Sequence, residues 1–466
     1  MILGPVSLID CLVFCIYLTP QLLYQAGFFP TAAVVLRVIP FLLITLPIQF
    51  VWNRYCRSYA SHKSSYLKGS TIFEDVVIRC VRYAFASIPA NVGRVFFSKD
   101  VALPFLRWRM KRHGFKDFPV YWKEETIGEV HTHPPFETSR AWLTFRMQGD
   151  AKVKGIWIKQ RGEDEPDIVI YYAHGKTCSI RELPECANTC MLRQGGGFAM
   201  GSSYFYFEFL LAWHSLLVDA GYQNPAIFAL DYSLVPDEIY PTQILQTLQG
   251  YKHVLEVAKD ASKVCVAGDS AGGTLILSML LEVGMQVQSQ QAMRVKLGRK
   301  GSPDGFRPDF AIPRMAMLIS PWITLASSLH FPSPVDYLNR GTLWKYGHQY
   351  AGDTMIHGVM ASPGRCDDVK LWKAASPECG YFITYGGEEV LAPDIENFVG
   401  RLGAGKVEIE ARRFDGAIHA WPVASLFLSS TRRKRLYGLR TIVGEIRKRF
   451  DKAPAGKVKW DGRLSD

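Results

Sequence analysis

Val264-Cys265-Val266-Ala267-Gly268-Asp269-Ser270-Ala271-Gly272-Gly273 decides the fold. A short apolar run fit for a buried strand leads into a serine flanked by glycines, and an apolar helical pattern, Ala271 to Met285, follows at once. A strand that reverses into a helix over so few residues brings positions 268 and 272 together. Neither can carry a side chain, and Ser270 is left projecting at the turn. An isolated Gly-x-Ser-x-Gly in a glycine-rich chain says little; between a strand and a helix it reads as a nucleophile elbow.

A serine hydroxyl becomes a nucleophile when an imidazole takes its proton and a carboxylate orients that imidazole. The elbow resembles that of the α/β-hydrolases, and the resemblance implies that the acid and then the histidine follow the serine in the chain. Past a strand-like run, Tyr381 to Tyr385, stand Glu388 and Glu389. Past another, Val407 to Phe414, His419 sits in the loop Asp415-Gly416-Ala417-Ile418-His419-Ala420-Trp421 and is the candidate base. His253, His330, His348 and His357 read as surface histidines.

Further apolar runs, Lys154 to Lys159, Asp167 to Ala173, Ala226 to Leu230 and Met315 to Ile319, alternate with helical patterns such as Ile239 to Ala258 and Pro393 to Leu402. That rhythm predicts an α/β fold with a mostly parallel sheet covered by helices on both faces. Ala141 to Met147 reads as one more strand, and the catalytic domain is expected over 141–455. Gln286 to Arg307, glutamine-rich and punctuated by glycine and proline, reads as a mobile loop. Residues 53–140 read as cap and linker helices rich in aromatics (Trp108, Phe115, Phe118, Tyr121, Trp122), and 456–466 as a tail.

With 466 residues, 48% of them hydrophobic, the chain can bury a large core, which excludes a disordered protein. The excess of 54 Lys and Arg over 43 Asp and Glu lies in patches without stacking aromatics or a groove-reading motif, so no nucleic-acid partner is expected. Ten scattered cysteines imply no disulfide framework, and the spacing of His174, Cys178, Cys186 and Cys190 fits no common zinc pattern. No metal or cofactor is expected. Ile2 to Tyr24 and Thr31 to Trp52 are each about long enough to cross a ~30 Å hydrocarbon layer. Asp10, Arg37, Pro40 and Pro47 interrupt them, so residues 1–52 read as a membrane anchor, either a hairpin or one span plus an interfacial helix. No secretory cleavage site is evident. No Asn-x-Ser/Thr acceptor indicates which side of the membrane the domain occupies.

The quoted motifs resemble the hormone-sensitive-lipase-like branch of the α/β-hydrolase superfamily, and within it the fungal steryl acetyl hydrolases. Gly268 to Gly273 matches that branch's GDSAGG, and Asp231-Tyr232-Ser233-Leu234-Val235-Pro236 is similar to its D-Y-R-L-A-P. Glu389-Val390-Leu391 stands where D-P-L is expected, so the resemblance implies Glu389 as the acid, with Glu388 or Asp394 as alternatives. The branch's HGGGF motif, whose backbone amides form an oxyanion hole with the amide after the nucleophile, occurs here in two halves. His174 and Gly175 are one; Gly195, Gly196, Gly197 and Phe198 are the other. The implied oxyanion donors are the amides of Gly195, Gly196, Gly197 and Ala271. Removing twenty residues of coding sequence between the halves would restore YYAHGGGFAMGSS in frame. Residues 176–194 with one neighbouring glycine codon are thus either a retained intron or a genuine insertion, and sequencing the mature transcript separates the two.

The expected activity is hydrolysis of a small apolar ester, acetylated or short-acyl, of a sterol, lipid or secondary metabolite, at the endoplasmic reticulum or a lipid droplet. An acyltransferase using the same three residues, or a catalytically impaired binding protein at the membrane, remains open.

Overall fold

A computed structural model of the protein describes residues 1–56, 64–131, 150–162, 164–175, 202–235, 237–296 and 310–451. Eight strands form one sheet: β1 (Tyr121–His131), β2 (Asp150–Lys159), β3 (Ile168–Ala173), β4 (Pro225–Asp231), β5 (Val264–Asp269), β6 (Met315–Ile319), β7 (Tyr381–Gly386) and β8 (Ile409–Phe414). Their order is β1-β2-β4-β3-β5-β6-β7-β8. β2 runs antiparallel to both β1 and β4, and the other neighbours are parallel. This is the mostly parallel sheet that the alternation of strands and helices predicts, in the α/β-hydrolase arrangement that the resemblance implies.

The central strands are buried throughout, and their side chains sort by the two-residue period of a strand. On β3, Val169, Tyr171 and Ala173 enter one core, while Ile168, Ile170 and Tyr172 enter the other. The first core is completed by the helices Thr242–Ala258 and Ser270–Lys296; the second by Phe207–Asp219 and Arg432–Asp451.

Three expectations need correction. The sheet begins at Tyr121 rather than near residue 141, because Lys123, Glu124 and Glu125 lie on an edge strand and hide its apolar alternation. Of the expected loop 286–307, residues 286–296 continue the helix begun at Ser270; glutamine is a good helix former where a helix emerges into solvent. Asp10 is an anchor, not a flaw in a span. It is fully buried and pairs with Arg109 at 3.5 Å and Arg112 at 3.0 Å. Arg109 and Arg435 both bind Glu208 and the backbone oxygen of Gly4, which draws the first residues of the chain onto the core beneath the sheet. The expected strand at 141–147 and the tail 456–466 lie outside the described residues.

Beyond that anchor, the helices spanning Leu8–Ala26 and Phe28–Cys56 are long and apolar enough to cross a membrane, and Leu12, Ile16, Phe29, Leu36, Leu43 and Ile48 are exposed on them. A third helix of that kind, Ser270–Ser289, is buried in the core. Phe41 stacks on Tyr83 of the helix Ile72–Ser87, at 4.0 Å between ring centroids. That helix and the short helix Ser65–Gly69 lie over the loops that follow β6, β7 and β8.

Candidate active site

Ser270 stands at the junction of β5 and its helix with φ +50°, a conformation that costs a residue bearing Cβ about 1–3 kcal/mol. At Gly268 the sterics match the sequence argument; at Gly272 the obstruction comes from the neighbouring strand β3. A Cβ on Gly272 would lie 1.9 Å from the carbonyl oxygen of Ala173, and one on Gly268 would lie 2.7 Å from the backbone of Gly272.

His419 Nε2 lies 2.8 Å from Ser270 Oγ, although the two residues are far apart in the chain. On the other side of the ring, Nδ1 faces Glu389 Oε1 at 3.8 Å, an ionic contact rather than a formed hydrogen bond. Neither of these two buried atoms has a hydrogen-bond partner elsewhere. Burial alone would lower the His419 pKa, but Glu389, then Asp336 and Asp269, outweigh it and raise it above its ordinary 6.5. Glu389 is fixed through its other oxygen, which accepts from Ser320 Oγ at 2.6 Å and from the Gly386 amide at 2.9 Å.

The two alternative acids are committed elsewhere. Glu388 points away from His419 and accepts from Ser64 Oγ and, at 2.7 Å, from the Tyr66 amide, tying the acid loop to the cap. Asp394 accepts from Ser327 Oγ at 2.9 Å. Asp394 and Ser327 line a polar cleft of about 340 Å³ that includes none of Ser270, Glu389 and His419.

Asp269, just before Ser270, organises the end of β3. It is buried, which raises its pKa, and hydrogen bonds from Tyr172, Tyr206 and Gly175 oppose that rise. The Tyr172 hydroxyl donates at 2.6 Å, the Tyr206 hydroxyl at 2.8 Å and the Gly175 amide at 2.7 Å. His174 is stacked between Tyr206 and Tyr232, and the Tyr232 hydroxyl binds its carbonyl oxygen at 2.9 Å. Ala271 lies in the first turn of its helix, where amide hydrogens point out of the helix with a partial positive charge. The other sequence-derived donors, Gly195, Gly196 and Gly197, and the segment 176–194 lie outside the described residues.

Of the four histidines read as surface loop residues, three are placed otherwise; His348 is exposed on the helix Arg340–Met355. His330 is buried, and desolvation lowers its pKa to about 4. His253 is on the helix Thr242–Ala258 and its Nε2 accepts from the Trp157 indole at 3.2 Å. Of the cap aromatics, Phe118 and Trp122 pack on Phe207 in the core. The ring against His419 is instead Tyr337, at 5.7 Å, itself backed by Phe85. Tyr337 carried no sequence signal, because it belongs to an irregular segment without a motif. Among the described residues no group of His, Cys, Asp and Glu could hold a metal ion.

Comparison with known proteins agrees with this architecture. A family model described as alpha/beta hydrolase fold matches residues 191–423, half of the chain; the match starts inside the segment that separates the two glycine halves. The chain is similar to the Schizosaccharomyces pombe protein mug81, which bears a steryl acetyl hydrolase name, with 23% identity over 66% of this chain and 69% of that one. It is 27% identical to an acetyl-hydrolase of Streptomyces hygroscopicus, covering 49% of this chain and 66% of the relative. It is 23% identical to steryl acetyl hydrolase 1 of Saccharomyces cerevisiae, covering 42% and 44%. A crystal structure of a mutant of the esterase E40 aligns with 84% of this chain and 99% of its own at TM-score 0.52 and 20% identity. A hyperthermophilic esterase from Pyrobaculum calidifontis aligns with 81% and 98% at TM-score 0.54 and 17% identity, a likeness of fold. The chain belongs to the α/β-hydrolase fold family, in its hormone-sensitive-lipase-like branch.

Proposed function

We propose that this carboxylic ester hydrolase uses Ser270 as its nucleophile on small acyl esters, above all acetyl esters, of an apolar alcohol such as a sterol or lipid. The 2.8 Å contact between Ser270 Oγ and His419 Nε2 carries the reading. The Ser270 oxygen attacks the ester carbonyl carbon while its proton passes to Nε2. The carbonyl oxygen takes the negative charge and is held by the Ala271 amide together with those of Gly196 and Gly197. Collapse of the tetrahedral species breaks the bond to the alcohol oxygen, which receives the proton from Nε2. A water then repeats the sequence on the acyl-enzyme, giving up a proton to His419 and releasing the acid and free Ser270. Glu389 faces the imidazolium formed in each half and stabilises it. The preference for an acetyl group is supported by the names of the relatives. The apolar alcohol is supported by the exposed helices at residues 1–52, which would place the domain on a membrane of the endoplasmic reticulum or a lipid droplet.

The full-length chain in detergent, given p-nitrophenyl esters of increasing chain length and an acetylated sterol, is expected to cleave the acetyl esters fastest. A clear preference for long acyl chains contradicts the acetyl assignment. Transfer of the acyl group to added alcohol in preference to water would make the chain an acyltransferase. The pH profile has a definite sign. His419 must be neutral to accept the proton, and its pKa is raised, so the acid limb of kcat/KM should lie above pH 6.5. A limb below that value contradicts the arrangement.

A further inference from the structure

Ester cleavage by Ser270 requires Glu389 and His419, which come from different loops, to hold a fixed relation to each other. Both loops are gripped by a third segment, the end of β6 and the loop after it. Ser320 Oγ donates to Glu389 Oε2 at 2.6 Å and accepts the Ala420 amide at 3.0 Å. Asp336 Oδ2 accepts the Val390 amide at 2.9 Å, and its Oδ1 accepts the His419 amide at 3.3 Å. Each of these two side chains therefore touches the acid loop and the base loop together, and all four bonds are buried.

The backbone is strained where the first clamp closes. Ser320 has φ +44° and Ala420 has φ +47°, left-handed conformations that residues with a Cβ keep only where surrounding contacts enforce them. Asp336 is itself an expensive residue to place here. It is fully buried, and burial pushes its pKa up to about 6, with His419 opposing the rise and Glu389 adding to it. A carboxylate nonetheless suits the position, since only two acceptor oxygens can satisfy two converging amide donors. The charged and titratable groups that face it are His419 and Glu389 from the two gripped loops and Tyr337 beside it. From the cap helix comes Arg82, whose guanidinium also binds the carbonyl oxygens of Ser333 and Pro334.

We infer that Ser320 and Asp336 form a two-point bracket that sets the Glu389–His419 pair in register with Ser270. They are positioning residues: neither is placed to touch the ester, and both act through the residues they hold. The inference rests on the serine-hydrolase reading above.

Asp336→Asn keeps the shape but offers one acceptor oxygen, turns a donor group toward the second amide, and removes a negative charge that favours the imidazolium of His419. Ser320→Ala removes one of the two donors to Glu389 Oε2, leaving the Gly386 amide, and loses no charge. Full-length wild type, both variants and Ser270→Ala are assayed on p-nitrophenyl acetate across the pH range of activity, with thermal melts alongside. For Asp336→Asn the expected result is a fall in kcat of about 10- to 100-fold, with KM within about threefold, as a displaced catalytic group gives. Its acid limb should move to lower pH, because the imidazolium has lost one of the charges that stabilise it. Ser320→Ala should lower kcat at similar KM and leave the limb in place. Wild-type kcat in both variants, with Ser270→Ala inactive, overturns the bracket while sparing the serine reading; activity in Ser270→Ala overturns the serine reading instead. A lower kcat in Asp336→Asn with an unmoved limb assigns Asp336 a purely structural role and also overturns the proposal. If Asp336→Asn does not fold, Ser320→Ala decides: reduced kcat at unchanged KM supports the bracket, and wild-type kcat overturns it.

Discussion

Replacing Ser270 with alanine is expected to lower kcat on p-nitrophenyl acetate by ~10⁴- to 10⁶-fold, with the fold and thermal stability preserved. The bond-forming atom is removed, and what remains is substrate binding and the oxyanion donors, which alone retain only a small part of the acceleration. His419→Ala should cost about as much, because the hydroxyl is inert without the base 2.8 Å away. The double variant should be scarcely worse than either single one, since groups that act as a unit lose their contribution together. Additive losses would mean that the two residues work independently, and the geometry offers no means for that. Glu389→Gln should be milder, because Ser320 and the Gly386 amide still hold the side chain in place.

The second large effect is on stability. Glu208→Ala should destabilise the folded chain by about 3–5 kcal/mol, because two buried guanidinium groups, those of Arg109 and Arg435, lose the carboxylate they share; Arg109 keeps only the more distant Asp10 as an ionic partner. Glu208 accepts from Arg435 at 2.8 Å and from Arg109, and the same arginines hold the carbonyl oxygen of Gly4. The loss should therefore also free the first residues of the chain, which proteolysis near the amino terminus would report. The exposed pair Lys99–Glu124 is the internal control. Both partners are accessible to solvent, so Glu124→Ala should change stability by no more than about 1 kcal/mol. A urea midpoint that shifts equally for Glu208→Ala and Glu124→Ala would contradict the ionic anchor.

The sequence was most informative where local geometry permits one solution. The elbow is such a place: the contact that a Cβ on Gly268 would make with the backbone of Gly272 is set by the strand-to-helix reversal itself, so that glycine marks it without a structure, whereas the need for glycine at 272 comes from Ala173 on the neighbouring strand. His419 was legible because it follows Ser270 and the acids in chain order and sits in a loop past a strand. The choice between Glu388 and Glu389 was not legible from the residues alone, since adjacent side chains at a turn point apart and only the fold shows that one meets the cap and the other the imidazole. Asp336 left no trace. Its partners, Val390 and His419, are distant in sequence, and its role is to accept backbone amides, which no side-chain pattern records. Asp10 misled for the same reason: its partners Arg109 and Arg112 lie far along the chain, and an acid inside an apolar run reads as an interruption.

Mechanism-based trapping tests the central claim most directly. A small organophosphate, offered to the full-length chain and followed by intact mass and peptide mapping, forms a stable phosphoester with an activated serine oxygen. The expected product is one adduct per chain, on Ser270, formed quickly by wild type and at least about a thousandfold more slowly by His419→Ala. Labelling of another residue, or an equal rate on Ser270 without His419, would contradict a nucleophile activated by that imidazole.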